Sequence, residues 1–242
     1  MGELEEGGFT YKYSNKNAAT YSKLGIKGTT YEPGFNEARR ILGDLRGKTA
    51  LDFGSGAGRT AQLLLSMGAD KVVGVDHNQG MINQAKKIKD KRLVFVKIDK
   101  KIPFEENTFD VVMCAHVFVE VSSFKEMEQI SNEVFRVLKP GGVWVIITNN
   151  STAIGREYLS YGYKKKDNLK SGEKIVCTIK KGKNSFEIDD YYWSEEDHKK
   201  VLEKVGFRVE SMTFPKMTGE GWLDETKVGP HVVIKCVKQE NS

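Results

Sequence analysis

The chain has 242 residues, 39% of them apolar, with 38 Lys and Arg against 33 Asp and Glu and a formal net charge of +5. That length suits one α/β domain with an insertion, and the apolar share supports one sizeable core. No apolar run approaches the roughly 20 residues of a membrane span, the acidic Gly-rich start lacks the regions of a signal peptide, and the lysines fall in short groups (Lys86-Lys87, Lys164-Lys165-Lys166, Lys180-Lys181) typical of solvated faces rather than a nucleic-acid groove.

Residues 1–10 read as disordered, and 11–32 hold many Tyr, Lys, Asn and Thr but too few apolar residues to define an element. Pro33 suits the first turn of a helix running to about Leu45. Alternation then begins. A strand at Thr49–Phe53 precedes a helix from about Gly58 to Met67, stopped by Gly68; a strand at Lys71–Asp76 precedes a helix from about Gln79 to Lys89. Strands follow at Leu93–Ile98 and Phe109–Ala115, then a helix at Phe124–Leu138 stopped at Lys139-Pro140-Gly141-Gly142, then a nearly all-apolar strand at Val143–Thr148. Strands alternating with helices predict right-handed crossovers and a parallel sheet. A helix at Ser194–Val205 and strands at Phe207–Phe214 and His231–Val237 close the chain, the last two predicted as an antiparallel hairpin at the sheet edge.

Residues 150–193 interrupt this pattern with Tyr158, Tyr161 and Tyr163, a lysine cluster, and alternating runs at Lys174–Lys180 and Ser185–Tyr191 around a turn at Gly182–Asn184. A β-hairpin is expected. Inserted after the fifth strand, it lies at the carboxyl edge of the sheet, where open α/β folds bind ligands. It is read as a lid over a substrate, against the plainer alternative of a hairpin extending the sheet. Cys114, Cys177 and Cys236 stand apart with no metal-ligand spacing, and Cys114 and Cys236 fall in apolar runs as buried reduced thiols, which together with the missing leader predicts a cytoplasmic chain without a metal site.

The chemistry concentrates at Asp52-Phe53-Gly54-Ser55-Gly56-Ala57-Gly58, directly after the first strand. Gly54, Gly56 and Gly58 let a ligand approach bare backbone. The spacing differs from the dinucleotide fingerprint, whose last glycine comes one residue later. Asp52 before the loop would repel a pyrophosphate and suit a cation. Asp76, ending the second strand, stands where a carboxylate accepts ribose hydroxyls.

Together these features resemble motif I and the acidic second-strand residue of class I S-adenosylmethionine-dependent methyltransferases, in the branch that includes quinone C-methyltransferases and small-molecule N- and O-methyltransferases. The likeness covers about 33–150 and, more loosely, 194–237, with Asp99, Pro103-Phe104-x-x-Asn107-x-Phe109-Asp110 and Leu138-Lys139-Pro140-Gly141-Gly142 as further matches. It implies a seven-stranded, mostly parallel, doubly wound α/β sheet in the order 3-2-1-4-5-7-6 with one antiparallel edge strand. The domain would be 33–242, with 150–193 as the lid insertion and 1–32 as a segment able to cover the site. S-adenosylmethionine would be the cofactor and S-adenosylhomocysteine its product.

Carried over residue by residue, the resemblance places Gly54, Ser55 and Gly56 along the cofactor's methionine portion and Asp52 at its amino group, directly or through water. Asp76 would take the ribose hydroxyls, His77 and Met81 would flank the adenine, and Asp99 with Lys100 would lie at the adenine edge. Ala115 would face the sulfonium through its backbone, and Tyr21 is a further expected cofactor-binding residue. Met81 is equally explained by helix packing, and Asp99 by a turn.

With an activated methyl donor, the protein has to position the nucleophile, exclude water and, where needed, remove a proton. His116, directly after the fourth strand, is the candidate base by position and by its near-neutral intrinsic pKa, against a packing or hydrogen-bonding role. Glu120 would orient His116, bind a cationic substrate, or simply be a solvated helix-start carboxylate. Tyr191 and Tyr192, beside Trp193 and the Ser194 helix start, are the remaining catalytic candidates, as positioning side chains. The Asn/Asp-Pro-Pro-Tyr/Phe signature of adenine and glutamine methylation is replaced by Ala115-His116-Val117-Phe118. The expected acceptor is N or O of a small metabolite, with RNA, protein, or a non-catalytic cofactor-binding subunit as alternatives; oligomeric state is not readable.

Overall fold

The structure, a computed structural model, describes residues 25–181 and 184–240. Tyr21, the rest of 1–24 and the turn at 182–183 therefore lie outside the described residues. Apolar β-branched runs form the centre of a seven-stranded sheet: β1 (Thr49–Phe53), β2 (Lys71–Asp76), β3 (Leu93–Lys97), β4 (Phe109–Ala115) and β5 (Leu138–Asn149) are mutually parallel. The helices α1 (Glu32–Leu42), α2 (Arg59–Ser66), α3 (Gln79–Ala85) and α4 (Phe124–Val137) accompany them.

A second, smaller sheet follows: β6 (Tyr161–Tyr163), β7 (Lys174–Lys181) and β8 (Asn184–Tyr191), antiparallel in the order β6-β7-β8. Helix α5 (Glu195–Val205) is opened by a Ser194/Asp197 capping box and closed at left-handed Gly206. Strands β9 (Phe207–Thr213) and β10 (His231–Lys238) complete the large sheet, whose order is β3-β2-β1-β4-β5-β10-β9. With the three strands of the smaller sheet left out of the numbering, this is the 3-2-1-4-5-7-6 order implied by the resemblance.

Four details differ from the sequence reading. The antiparallel strand is β10, which sits between β5 and β9 rather than at the edge, because it pairs antiparallel with both. The insertion is a three-stranded sheet, since Tyr161–Tyr163 pairs with Tyr163↔Cys177 to Tyr161↔Ile179 in register, and it does not extend the large sheet. Pro140-Gly141-Gly142 does not form a free turn: β5 begins at Leu138 and absorbs these residues in an irregularity opposite Phe109/Val111. Helix α3 ends at Ala85, four residues short of the expected Lys89.

Two apolar layers sandwich the large sheet. One holds Phe35, Leu64, Ile82, Val145 and the smaller sheet's Tyr161, Tyr163 and Cys177; the other holds Leu51, Phe118, Met127, Ile130, Trp144 and Leu202. Cys114, Cys177 and Cys236 are free and buried. Inward residues of the smaller sheet therefore pack into the main core, at roughly 1.5–3 kcal/mol per fully buried large side chain.

Candidate active site

The carboxyl ends of β1, β2 and β4 and the turns after them enclose a cleft of about 690 Å³, part of it open to solvent. Its walls include Gly54, Gly56, Asp76, His77, Asn78, Met81, Ile98, Ala115, His116 and Val117. The loop after β1 is latched to β2, the Gly54 and Ser55 amides both donating to the Val75 carbonyl at 2.9 Å. Two glycines there are required for different reasons. A Cβ on Gly54 (φ +73°) would lie 2.1 Å from Val117 Cγ2, whereas one on Gly56 (φ +51°) would project into open space. Val117 thus closes against the loop, and Gly56 leaves bare backbone beside the cleft.

Asp76 is held from behind. Its Oδ2 accepts the Gly56 amide at 2.8 Å and its Oδ1 the Asn78 amide at 2.7 Å, so each oxygen keeps a lone pair. Burial raises its pKa, with those amides and the neighbouring His77 opposing. Asn78 also caps α3, its side chain accepting from the Met81 amide, which fixes His77 and Met81 along one wall.

Asp52 is fully buried beneath the loop and outside the lining of the cleft, and neither carboxylate oxygen makes a hydrogen bond of normal geometry. Burial, reinforced by the charge of Asp76, pushes its pKa up to about 8, while the nearby Ala61 amide and Arg59 only partly offset this. Ser55 is likewise buried with its hydroxyl oxygen unpartnered, and it too lies behind the lining. Asp99 and Lys100 are not brought to the cleft: both are exposed, Asp99 pairs with Lys97, and the apolar Ile98 before them faces inward instead.

His116 marks the far end. It adopts a left-handed backbone (φ +60°), its amide donates to the Ile147 carbonyl at 2.8 Å, and its ring is buried against Tyr31 and His231 at centroid distances of 5.1 and 4.8 Å. Nε2 makes no hydrogen bond. Burial, with the neighbouring His231 and Arg59, holds its pKa well below the ordinary histidine value. The imidazole is therefore neutral, as a proton acceptor must be, but weaker as a base than its type suggests.

Beyond His116 lies a second cavity of about 300 Å³, roofed by the smaller sheet and lined by Tyr31, Tyr161, Tyr163, Cys177, Asn149 and Asp190 among others. His116 and Glu120 line both cavities, so the two meet there. Tyr191 and Tyr192 reach neither; they line a third hollow of about 240 Å³ with Trp193 and His198. Asn78, Ile98, Val117 and Asp190 are thus lining residues that the sequence reading did not single out. Only Asn78 carried a signal, as a polar residue opening a helix.

Relatives sharpen this picture. Residues 51–146 match the family described as "Methyltransferase domain". The chain is 31% identical over 211 residues to the sterol 24-C-methyltransferase of Pneumocystis carinii, covering 76% of this chain and 54% of that protein. It is 36% identical over 113 residues to the demethylmenaquinone methyltransferase of Lactococcus lactis, covering 44% of each. It spans about half the length of the sterol methyltransferases it matches. A structure described as a putative S-adenosylmethionine-dependent methyltransferase from Listeria monocytogenes superposes with TM-score 0.64 at 21% identity, over 86% of this chain and 99% of that one.

The fold is that of a Rossmann-like methyltransferase. Residues 51–146 thus carry a methyltransferase-family domain, and the likeness to S-adenosylmethionine-dependent methyltransferases of known structure is one of fold.

Proposed function

We propose that the chain transfers a methyl group from S-adenosylmethionine to N or O of a small molecule. The observation that carries this reading is the meeting of two cavities at His116: an acidic, glycine-edged cleft and a separate small chamber under the smaller sheet. The cleft fits the cofactor on its own chemistry. Asp76 beside the loop gives it an acidic character that suits a sulfonium and an amino group and repels a pyrophosphate, and the buried Asp52 beneath the loop, its pKa raised to about 8, adds negative charge as it ionises.

In this reading the backbone at Gly54 and Gly56 borders the methionine portion, and Asp76 accepts the ribose hydroxyls through its remaining lone pairs. His77, Met81 and Ile98 flank the adenine, with Ile98 taking the place first assigned to Asp99 and Lys100. Ala115 and Val117 form the wall near the sulfonium. Asp52 acts through the field it places under the loop rather than by touch. When bound, the cofactor supplies an electrophilic methyl, so the chain need only place the acceptor, exclude water and take up a proton. Tyr31, Tyr161 and Tyr163 exclude water, and neutral His116 stands ready to accept the proton.

The relatives named above include sterol C-methyltransferases, which favours carbon as the competing acceptor. The chamber argues for a smaller, polar acceptor: it is much narrower than the cleft, and its lining includes Glu120, Asp190 and three tyrosines. Macromolecular acceptors are disfavoured because many of the lysines pair with neighbouring carboxylates, among them Lys164 with Glu187, Lys174 with Asp189 and Lys204 with Glu128. Calorimetry should show S-adenosylhomocysteine binding near micromolar, about 8 kcal/mol, with no binding of nicotinamide dinucleotides. A radiolabel screen should show transfer to small molecules. Salt-sensitive incorporation into tRNA would replace this reading with an RNA one.

A further inference from the structure

Asp190 stands out among the buried groups that catalysis does not already use. It lies on β8, in the roof of the chamber, and is 1% exposed. Its Oδ2 accepts the Tyr163 hydroxyl at 2.5 Å, and Tyr163 in turn accepts from the Asn149 side-chain amide. Its Oδ1 is buried and has no hydrogen-bond partner of normal geometry, although the residue lines the cavity and the Asn149 side chain lies near enough to stabilise the carboxylate. A buried carboxylate oxygen left unmatched is costly. If the carboxylate served only to anchor Tyr163, one oxygen would be enough and the other could be dispensed with, as in an amide.

The groups facing the chamber indicate what should meet that oxygen. Glu120 supplies a second carboxylate, Tyr31, Tyr161 and Tyr163 supply aromatic walls, Cys177 and Asn149 are neutral, and among the described residues no Lys or Arg lines the space, Arg59 lying 4.8 Å over the Tyr31 ring without lining it. Carboxylates with aromatic faces and no cation in the lining make a site for an ammonium group, which would pair with the unmatched carboxylate and lie favourably against the rings. An anionic acceptor would meet two like charges.

We propose that Asp190 is the specificity residue of the chamber: it receives an ammonium group of an amine-bearing methyl acceptor, whose reacting atom is thereby directed toward His116. This rests on the methyltransferase reading and names its substrate class. The anchor acts through binding, and Tyr163 and Asn149 are positioning residues that hold the carboxylate's other oxygen.

The test uses the full chain loaded with S-adenosylhomocysteine and three probes sharing one ring: phenethylamine, 2-phenylethanol and phenylacetate. Calorimetry is expected to show binding of the amine in preference to the alcohol and the carboxylate. Asp190→Asn should weaken the amine about ten- to a hundredfold, the loss expected for one charge-assisted hydrogen bond, and leave the affinity for S-adenosylhomocysteine unchanged. With S-adenosylmethionine and any amine that turns over, the same variant should raise KM far more than it lowers kcat, and Asp190→Glu should recover part of the loss. Should Asp190→Asn fold poorly, Tyr163→Phe provides a second route. It frees Oδ2 and should change amine affinity but not that of the alcohol. Equal binding of the three probes, preference for phenylacetate, no binding of the amine, or an Asp190→Asn variant with unaltered amine affinity would overturn the assignment. Failure to bind S-adenosylhomocysteine would instead strike the methyltransferase reading itself.

Discussion

The cleft at the ends of β1, β2 and β4 and the chamber under the smaller sheet share His116 and Glu120 but are assembled differently. Most of the cleft comes from strand ends and the segments that directly follow them: Phe53, Gly54 and Gly56 from β1 onward, Asp76, His77, Asn78 and Met81 from the end of β2 into α3, Ala115 to Val117 from the end of β4. The chamber gathers Tyr31, Asn149, Tyr161, Tyr163, Cys177, Ile188 and Asp190 from a leading segment, the end of β5 and three strands of a separate sheet. The first arrangement is local backbone geometry and is rigid by connectivity. The second depends on long-range packing, such as the Tyr161 hydroxyl on the Pro230 carbonyl at 3.1 Å and the mutual hydrogen bonds of Thr30 and Ser160. A site divided this way can keep one cofactor while its acceptor side varies.

The sharpest test of the junction is His116→Asn, since Asn tolerates the left-handed backbone that His116 adopts. Turnover should fall by about 10²–10⁴-fold if proton removal limits the rate, with S-adenosylhomocysteine affinity changed no more than a few-fold. The pH–rate profile carries a second signature. A base must be neutral, so the rate falls as pH drops through its pKa. An ordinary histidine would place that limb near pH 6–7. Burial, His231 and Arg59 move it to the acid side, so kcat/KM should be flat across that range. A wild-type-like His116→Asn enzyme would assign His116 to packing and leave the two-cavity arrangement intact.

Within the cleft, Asp76→Ala should weaken S-adenosylmethionine by about 1–3 kcal/mol, through lost hydrogen bonds to a charged acceptor. The same change frees the Gly56 and Asn78 amides that now donate to Asp76. Titration of an amine acceptor into the chamber should be unaffected. Equal weakening of both ligands would mean that cleft and chamber are one cooperative unit.

How much could be read in advance follows the same division. Asp76 was legible because a strand end and a glycine loop fix its place in space. Asp99 and Lys100 fall outside the cleft because β3 ends at Lys97 and the bend that follows turns Ile98 inward and leaves both polar side chains exposed. Pro140 signalled a chain reversal, yet the backbone there stays in β5 as an irregularity. Asp190 gave no signal. In the sequence it is one more acid in an alternating strand beside Asp189, and only the register opposite Ile175 and its hydrogen bond to Tyr163 distinguish it. Asp189, its neighbour, points outward to Lys174.

Asp52 offers a smaller effect that separates field from contact. A carboxyl whose folded pKa is raised holds its proton more tightly folded than unfolded. Its contribution to stability is full below the unfolded value near 3.9 and is lost as pH rises to about 8. His198 and His231, lowered to about 4 and about 3, act with the opposite sign, their contribution being lost as pH falls below about 6.5. Above pH 6.5 the histidines are largely neutral in both states, and Asp190, raised to about 7, titrates in the same window as Asp52. The free protein should therefore lose about 2–3 kcal/mol between pH 6.5 and 8, measured by denaturant unfolding, and Asp52→Asn should remove the larger part of the slope. S-adenosylmethionine should tighten as Asp52 ionises over the same window, and lose that dependence in the variant.

The smallest effect is expected where the sequence reading placed two catalytic tyrosines. Tyr191 and Tyr192 stand at the end of β8 and just beyond it, lining a hollow that neither His116 nor Asp76 reaches. The Tyr192 amide is already committed to the Glu173 carbonyl at 2.8 Å, and both rings pack as partly buried members of opposite core layers. Removing a hydroxyl from such a position leaves the ring and its apolar contacts in place, so surface-type tolerance within about 0.5 kcal/mol applies. Tyr191→Phe and Tyr192→Phe should each keep kcat/KM within a few-fold of wild type, and neither should alter the preference for an amine over its alcohol. Tyr163→Phe, whose hydroxyl meets Asp190, should alter that preference. If Tyr191→Phe or Tyr192→Phe instead cost turnover heavily while Tyr163→Phe were silent, the acceptor would have to enter through the third hollow. The chamber would then be an apolar void with a misplaced carboxylate, and the boundary drawn between the two cavities would have to move behind Val119 and Asn149, the residues that the chamber and that hollow share.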